Sequence, residues 1–583
     1  MKPAPRRWQV SDSAPLSGHP ALLGRILAAR GHDDGSAATF LDGSASFHDP
    51  FGLRGMSAAV DVIGSAIRGG ERIAVYGDYD ADGVTACAML SRALRRAGVD
   101  AVPYIPNRMS EGYGLHGAAL TELHSQGVRC VITVDCGTSS VDVAAARPSG
   151  MRLVVTDHHL PLAPDGAPPA LAPADALVNP KQPGCDYAFD GLAGAGVAWK
   201  LLAALESAGL VLPGSTDEGL GLAALGTVAD MMPLRGENRL IVQRGLPRLR
   251  DHAGIRALCE AAGLPAELRA SDISFGIGPR INAAGRMEDA KLALDLCLCD
   301  DEDEAFALAA RLDSQNRDRQ AAVAVAMAEA EVMVAEIAED APAIVLGSPS
   351  WPMGIVGLVA GRLTERYARP TFVVCLDPAE AKGSARSIAG VHIVEALDGA
   401  ASTLLRYGGH KVAAGFSLEA ARFDEFADAV RNAVAAQLGD APRERVMAID
   451  GEITTAECVP GTCDLLDMLE PCGQGNAAPV LAMRDCQVLS ASTFGAESQH
   501  LRLALSDGAG IVEAIAFFKP GLAEHLPRGR RVDVCIALER DQWQGMVRVR
   551  ARLRDIRPAR PEPIVELAGT PITRSVPAAR ASD

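Results

Sequence analysis

The 13 cysteines of the chain include no CxxC pair and follow no regular spacing. That argues against structural zinc and against a disulfide framework, and it fits a reducing compartment. Aromatic residues make up 4% of the sequence, so most are needed in cores and few remain for stacking. No uninterrupted apolar run is long enough to span a bilayer, and the opening MKPAPRRWQVSDSAP has no apolar signal segment. The expected location is the cytoplasm, with no membrane partner. There is no GxxxxGK[ST] motif, and the GxG within GLAGAGVAWK follows no strand. Nucleotide-binding enzymes of the P-loop and nicotinamide types are set aside on that ground, and these glycines read as permitting close helix packing. A net charge of −17 argues against nucleic acid coating the whole surface, though not against a local basic groove.

What is present is a globular composition, 48% hydrophobic and 22% charged, over 583 residues, enough for three or four domains. Residues 1–70 read as a helical lead-in. From 72 to about 290, apolar strands predicted at 72–76, 101–105, 130–135 and 152–156 alternate with helical patterns, the rhythm of a parallel, doubly wound sheet. Residues 301–338 contain no Pro or Gly and predict one long connecting helix. A second α/β pattern runs to about 440. Alternating apolar residues at 500–505, 511–517, 531–538 and 546–553 predict antiparallel strands of a small barrel. There Phe494, Phe517, Phe518 and Trp543 are candidates either for stacking bases or for the core. The Pro-rich residues after 558 predict disorder.

The chemistry concentrates at strand ends, where open parallel sheets place their ligands. The first strand empties into Gly77-Asp78-Tyr79-Asp80-Ala81-Asp82-Gly83. Three carboxylates so close repel one another, and a cation such as Mg²⁺ or Mn²⁺ relieves this. Alone, the stretch reads equally as a solvated Asp-Gly turn. The second strand is followed by Asn107-Arg108, the third by Asp135, the fourth by Asp157-His158-His159. Acidic or imidazole groups at several strand ends of one sheet favour the metal site. Asp230, ending an apolar helical stretch, reads by itself as a cap. Arg280, Asn282 and Arg286, among small residues in GPRINAAGR, suit either a phosphate or salt bridges. Lys382–Ser387 and Gly408-Gly409-His410 read as turns with donors that suit a phosphate.

Taken together, GDYDADGVT, PNRMSEGYGL, DHH, LAGAGVAWKL, VADMMPL, GPRINAAGR, LDSQNRDRQ, KGSARSI, GGHKVAAG and EPCGQGNAAPV resemble the bacterial RecJ family within the DHH phosphoesterase superfamily. The resemblance covers nearly the whole chain. It implies a DHH parallel-sheet domain (71–299), a long helix (300–340), a smaller DHHA1 α/β domain (341–441), an oligonucleotide-binding (OB) type β-barrel (442–558) and a tail (559–583). It also implies a single-strand-specific 5′→3′ exonuclease that hydrolyses DNA to mononucleotides with two Mn²⁺ or Mg²⁺ ions, in repair and recombination. A helicase and a single-strand-binding protein are the implied partners; the alternative is a phosphatase or nanoRNase acting on short oligonucleotides. Asp80, Asp82, Asp135, His158 and Asp230 fall on the family's metal ligands, with Asp78 a further member. His159 falls on the histidine that faces the phosphate, and Asp80, Asp135 and both histidines are the implied catalytic set. Arg108, Arg280, Asn282, Ser384, Arg386 and His410 fall on segments that bind the strand. One departure stands out: Trp351-Pro352 replaces the Trp-His of the family, so no role passes to position 352.

Overall fold

The structure is a computed structural model. It describes every residue except 5, 108–110, 113, 164–167, 288, 440–443, 544–545 and 560–583, and gives no side-chain burial at 287, 541–543 and 546–547. Arg108, the tail and the Trp543 side chain therefore lie outside the description. The chain forms two compact units. One comprises Met1–Gln9, His32–Met447 and Met468–Ala478; the other comprises Val10–Gly31, Ala448–Asp467 and the residues from Pro479 onward. Part of the helical lead-in thus belongs with the C-terminal residues.

In the first unit, strands β1 (Arg72–Tyr76), β2 (Ala101–Tyr104), β3 (Val128–Val134), β4 (Arg152–Thr156) and β5 (Ala176–Val178) form one sheet in the order β2-β1-β3-β4-β5. All pairs are parallel. Ile73, Ala74, Val75 and Tyr76 are all fully buried, because helices cover both faces, and so β1 reads as an unbroken apolar run. On one face Ile73, Val75, Ile132, Val134 and Val154 pack in a core with residues of α1 (Ala81–Arg96), α2 (Gly194–Ser207) and α3 (Ser215–Ala229). On the other, Ala74, Tyr76, Val131 and Leu153 pack with the helix Gly117–Ser125. The strand order reverses at β1, so the carboxyl ends of β1 and β3 border the crevice where such sheets bind ligands.

Helix α4 (Gly278–Met287) precedes the long helix α5 (Glu302–Glu336). Asp301 caps α5 by accepting from the Glu304 amide (2.9 Å), and Glu302, Asp303 and Glu304 favour its positive end. Ala305, Ala309 and Leu312 lie in the first core, whereas Val323, Ala326, Ala330 and Val334 lie in a second. The helix therefore joins two bodies through its two halves. The second body carries β6 (Ile344–Ser348), α6 (Met353–Tyr367), β7 (Thr371–Cys375), β8 (Ala381–Arg386), β9 (Arg406–His410) and β10 (Ala413–Leu418), in sheet order β9-β10-β8-β7-β6. Two segments predicted as turns, around 382–387 and 408–410, are strands here. β8 is bonded on both sides, by β7 and β10, and β9 is the edge.

The second unit holds β11 (Leu481–Phe494), β12 (His500–Ser506), β13 (Val512–Ala516), β14 (Arg531–Trp543) and β15 (Met546–Pro558). Their order, β11-β12-β13-β15-β14, closes into a five-stranded barrel through β11–β14. β13 and β15 pair in parallel, not antiparallel as predicted. Among the described residues no helix is long and apolar enough to cross a membrane.

Candidate metal centre

Asp80 is the N-cap of α1. Its Oδ1 accepts from the amides of Asp82 (2.9 Å) and Gly83 (3.1 Å), so the acidic turn is closed by one of its own carboxylates. A Cβ at Gly83 would lie 2.4 Å from the Asp78 amide nitrogen, so only glycine fits. Asp82, 1% exposed, turns inward. Its two oxygens accept from the Gly194 and Ala195 amides, each at 2.8 Å, at the positive end of α2. A Cβ on Gly194 would lie 2.5 Å from Asp135 Cβ. The LAGAG glycines therefore do allow close packing, and they also aim backbone donors at an acid. Sequence reasoning missed that second use, whose only signal was the motif's place in the family pattern.

Asp135 ends β3 in the left-handed region, with φ 62°, a conformation that costs a residue with a side chain roughly 1–3 kcal/mol. His158 follows β4. Its Nε2 lies 3.1 Å from Asp135 Oδ1, 3.6 Å from Asp230 Oδ2 and 3.9 Å from Asp82 Oδ2. Asp230 is the C-cap of α3. Three overlapping sets of potential ligand atoms result, each within 4.8 Å: Asp78, Asp80 and Asp135; Asp82, His158 and Asp230; Asp135, His158 and His159. All the residues predicted as metal ligands are thus brought together.

Burial first, and neighbouring carboxylates second, push the Asp82 and Asp135 carboxyls well above the usual range. Burial and Asp80 push Asp230 up to about 7. Burial, helped by the charge of His159, holds His158 down to about 3, so its imidazole is neutral, as a ligand must be. Asp135 Oδ1 and His158 Nε2 are buried without a hydrogen bond of good geometry. Buried lone pairs without a hydrogen-bond partner and mutually repelling oxygens fit a hard divalent cation, and the oxygen-rich set suits Mg²⁺ or Mn²⁺.

Asp157 serves differently. Oδ2 accepts from the Thr138 amide (2.9 Å); Oδ1 accepts from the His158 amide (2.7 Å) and lies 2.8 Å from His159 Nδ1. Burial is the largest single influence and works against its charge, but the bond to and charge of His159, the Thr138 amide and the nearby His158 together outweigh it and hold Asp157 down to about 2. Burial is also the largest influence on His159 and disfavours its charge, but the bond to Asp157 and the carboxylates of Asp157, Asp230 and Asp78 together raise it. Asn179, fully buried, fixes the loop by donating to His159 O (2.8 Å) and Thr138 Oγ1 (2.9 Å). From sequence Asp157 was read only as part of the acidic strand-end group, without this orienting role, and Asn179 was not singled out.

The predicted strand-binding residues divide. Asn282 Oδ1 accepts from the Ala81 amide (2.8 Å), so it holds the acidic turn. The Arg280 guanidinium is bonded to Asp313 Oδ1 (2.9 Å) on α5 and to Gly276 O (2.7 Å). Two residues that the resemblance placed on strand-binding segments are thus held by partners within the fold, Arg280 in the salt bridge that its sequence setting equally allowed. Arg386 is half-buried and donates to Ser384 Oγ (2.9 Å) and Ala385 O (2.8 Å). Among the described residues no carboxylate pairs with it. Gly357 of α6 lies against both: a Cβ there would be 3.1 Å from Ser384 Oγ and 3.2 Å from Arg386 Nη2. His410 is exposed at the end of edge strand β9. Trp351 is buried and donates to Glu329 (2.7 Å), and Pro352 is the N-cap of α6.

The DHH family N-terminal domain matches residues 72–227, the DHHA1 domain 309–436 and the RecJ OB domain 449–555. The single-stranded-DNA-specific exonuclease RecJ of Dickeya dadantii is 35% identical over 93% of this chain and 96% of its own. That of Thermus thermophilus is 38% identical over 87% and 71%. The crystal structure of Thermus thermophilus RecJ in complex with Mn²⁺ superposes with TM-score 0.77 at 33% identity, covering 96% of this chain and 80% of that one. The same protein is also solved with Mg²⁺, with TM-score 0.75 at 32% identity over 96% and 79%. With its three domain types in order and its acidic centre in place, the chain belongs to the RecJ family.

Proposed function

We propose that the chain is a cytoplasmic single-strand-specific DNA exonuclease, working 5′→3′ to mononucleotides in repair and recombination. The observation that carries this reading is the convergence of Asp78, Asp80, Asp82, Asp135, His158 and Asp230 on overlapping ligand sets in a chain aligned with RecJ along nearly its whole length. Bound there, two Mn²⁺ or Mg²⁺ ions supply a water of lowered pKa and positive charge opposite the attacked phosphate.

The chain's own residues do the rest. Asp80, Asp82, Asp135, His158 and Asp230, with Asp78, hold the ions. Asp157 orients His159 and favours its charged form, which balances negative charge gathering on the phosphate. Arg386 binds the strand, since a half-buried guanidinium without a carboxylate suits a phosphate, and Ser384, His410 and Arg108 join it by their places in the family pattern. Arg280 and Asn282 brace the site. A helicase and a single-strand-binding protein deliver the substrate.

The test is degradation of single strands labelled at the 5′ or the 3′ end, with Mn²⁺ and Mg²⁺ in turn, by the natural chain and by Asp80→Ala and Asp135→Ala. Loss of a direct ligand is expected to cost more than the ~10–100-fold typical of an outer hydrogen-bond partner. Unchanged degradation would sink the assignment, and release of the 3′ label first would sink the polarity.

A further inference from the structure

The EPCGQGN segment takes no part in the chemistry above, yet the chain makes a detour to place it. Residues Met468–Ala478 belong to the first unit, while those on either side belong to the second. The segment lies against the loop that follows Asp230. The Leu234 amide donates to Gln474 O (2.8 Å), and Arg235 Nε donates to Gly475 O (2.9 Å). The glycines make room: a Cβ on Gly473 would lie 2.8 Å from Leu234 Cδ1, and one on Gly475 would lie 3.0 Å from Pro233 Cβ.

Arg239, 4% exposed, anchors the other side. Its guanidinium donates to Leu469 O (3.1 Å), Glu470 O (2.6 Å), Pro471 O (3.3 Å) and Phe40 O (3.0 Å). Asn476, 3% exposed, closes the segment on itself through Leu469 O (2.8 Å) and Pro471 O (2.9 Å). Next to Arg239, fully buried Asn238 donates to Pro233 O (3.2 Å), in the Asp230 loop, and to Gly191 O (2.6 Å). Gly191 shortly precedes Gly194 and Ala195, whose amides hold Asp82.

We propose that the segment Leu469–Asn476, seated on Arg239, positions the metal centre by fixing the loop 231–235 and, through it, the Asp230 carboxylate. Met231 makes such support necessary: it sits at φ 58°, directly after the ligand, a strained conformation that persists only where the surroundings over-determine it. The anchors are main-chain carbonyls read by a fork of N–H groups, so the arginine's geometry matters as well as its charge. Arg239, Asn238 and Asn476 are positioning residues and touch no ligand atom.

This inference rests on the metal-centre reading given under Proposed function. The test measures Mn²⁺ binding without DNA, by electron paramagnetic resonance titration of the full chain and its Arg239→Lys and Asn476→Ala variants, each checked for folding by circular dichroism. Phe426→Ala, which opens a cavity in the separate core cluster that buried Phe426 forms with Phe372 and Phe416, controls for general destabilisation. Both positioning variants are expected to weaken Mn²⁺ binding about 10-fold or more, as loss of a partner behind the ligands does, and added Mn²⁺ should restore most of their turnover. The natural isotherm should survive Phe426→Ala. If Arg239→Lys does not fold, Asn476→Ala decides alone. Natural-chain binding with unshifted isotherms in the folded variants overturns this inference only. A natural chain that binds no Mn²⁺ overturns the metal reading and this one with it.

Discussion

Asp157 separates the holding of a cation from the presentation of a charge, because it bonds to His159 and belongs to no ligand set. We expect Asp157→Asn to cut turnover by about 10–100-fold while the Mn²⁺ titration moves far less than for Asp135→Ala. Asn282→Ala tests brace against contact. As a brace it should cost roughly 1 kcal/mol of stability for the lost bond to Ala81 and lower kcat, with KM for the strand unchanged; a raised KM alone would restore it as a contact. Gly194→Ala should all but abolish Mn²⁺ binding, since the added methyl meets Asp135 Cβ at 2.5 Å. The candidate ligands at strand ends were legible in the sequence because acidic and imidazole groups recur at several ends of one sheet, whereas Asp230, at a helix end, was legible only through the family pattern. Residues that orient them were not. An Asn that accepts one amide bond looks the same in sequence as one that binds phosphate, and only the distance to Ala81 tells them apart.

At the scale of elements, strands buried on both faces declared themselves as apolar runs, and β1 and β4 lie where predicted. β5 was missed because it has only 3 residues. β11 was missed because its alternation is broken by register shifts between Met483 and Cys486 and between Val488 and Ser490. β8 hid behind a Gly-Ser composition that a strand tolerates when both neighbours bond to it. The α4–α5 contact through Arg280 and Asp313 is the element-level counterpart of the Asn282 brace. The side chains are 14% and 10% exposed, and Arg317 also pairs with Asp313 at 2.6 Å. Because Arg317 remains to share the charge, Arg280→Ala should cost about 1–2 kcal/mol, less than a fully orphaned buried ion. A urea melt gives that number, and strand affinity measured on the same variant shows whether the guanidinium also reaches the DNA.

At the scale of the molecule, the net charge of −17 follows in part from an acidic centre that a bound cation would compensate. Stability should therefore respond to metal. At a hundredfold excess over Kd, bound Mn²⁺ contributes about 2.7 kcal/mol to whatever unfolds with the site. Scanning calorimetry with Mn²⁺ and then EDTA should move the transition of the first unit and leave that of the barrel where it was. The two-unit division is itself something periodicity along the chain does not reveal, since Val10–Gly31 and the barrel share no pattern. It also bears on how a ribosome makes this protein. Arg30 finds Asp450 420 residues later, and Arg235 finds Gly475 240 residues later. At roughly 5–20 residues per second, the helix Ala21–Ala29 waits on the order of 20–80 s for Asp450, and longer for the barrel strands of its unit. Its Leu23, Ile26 and Leu27, buried in the finished protein, are bare on the nascent chain throughout that interval. On the positioning proposed for Leu469–Asn476, the metal centre likewise lacks its last support until residue 476 has left the exit tunnel.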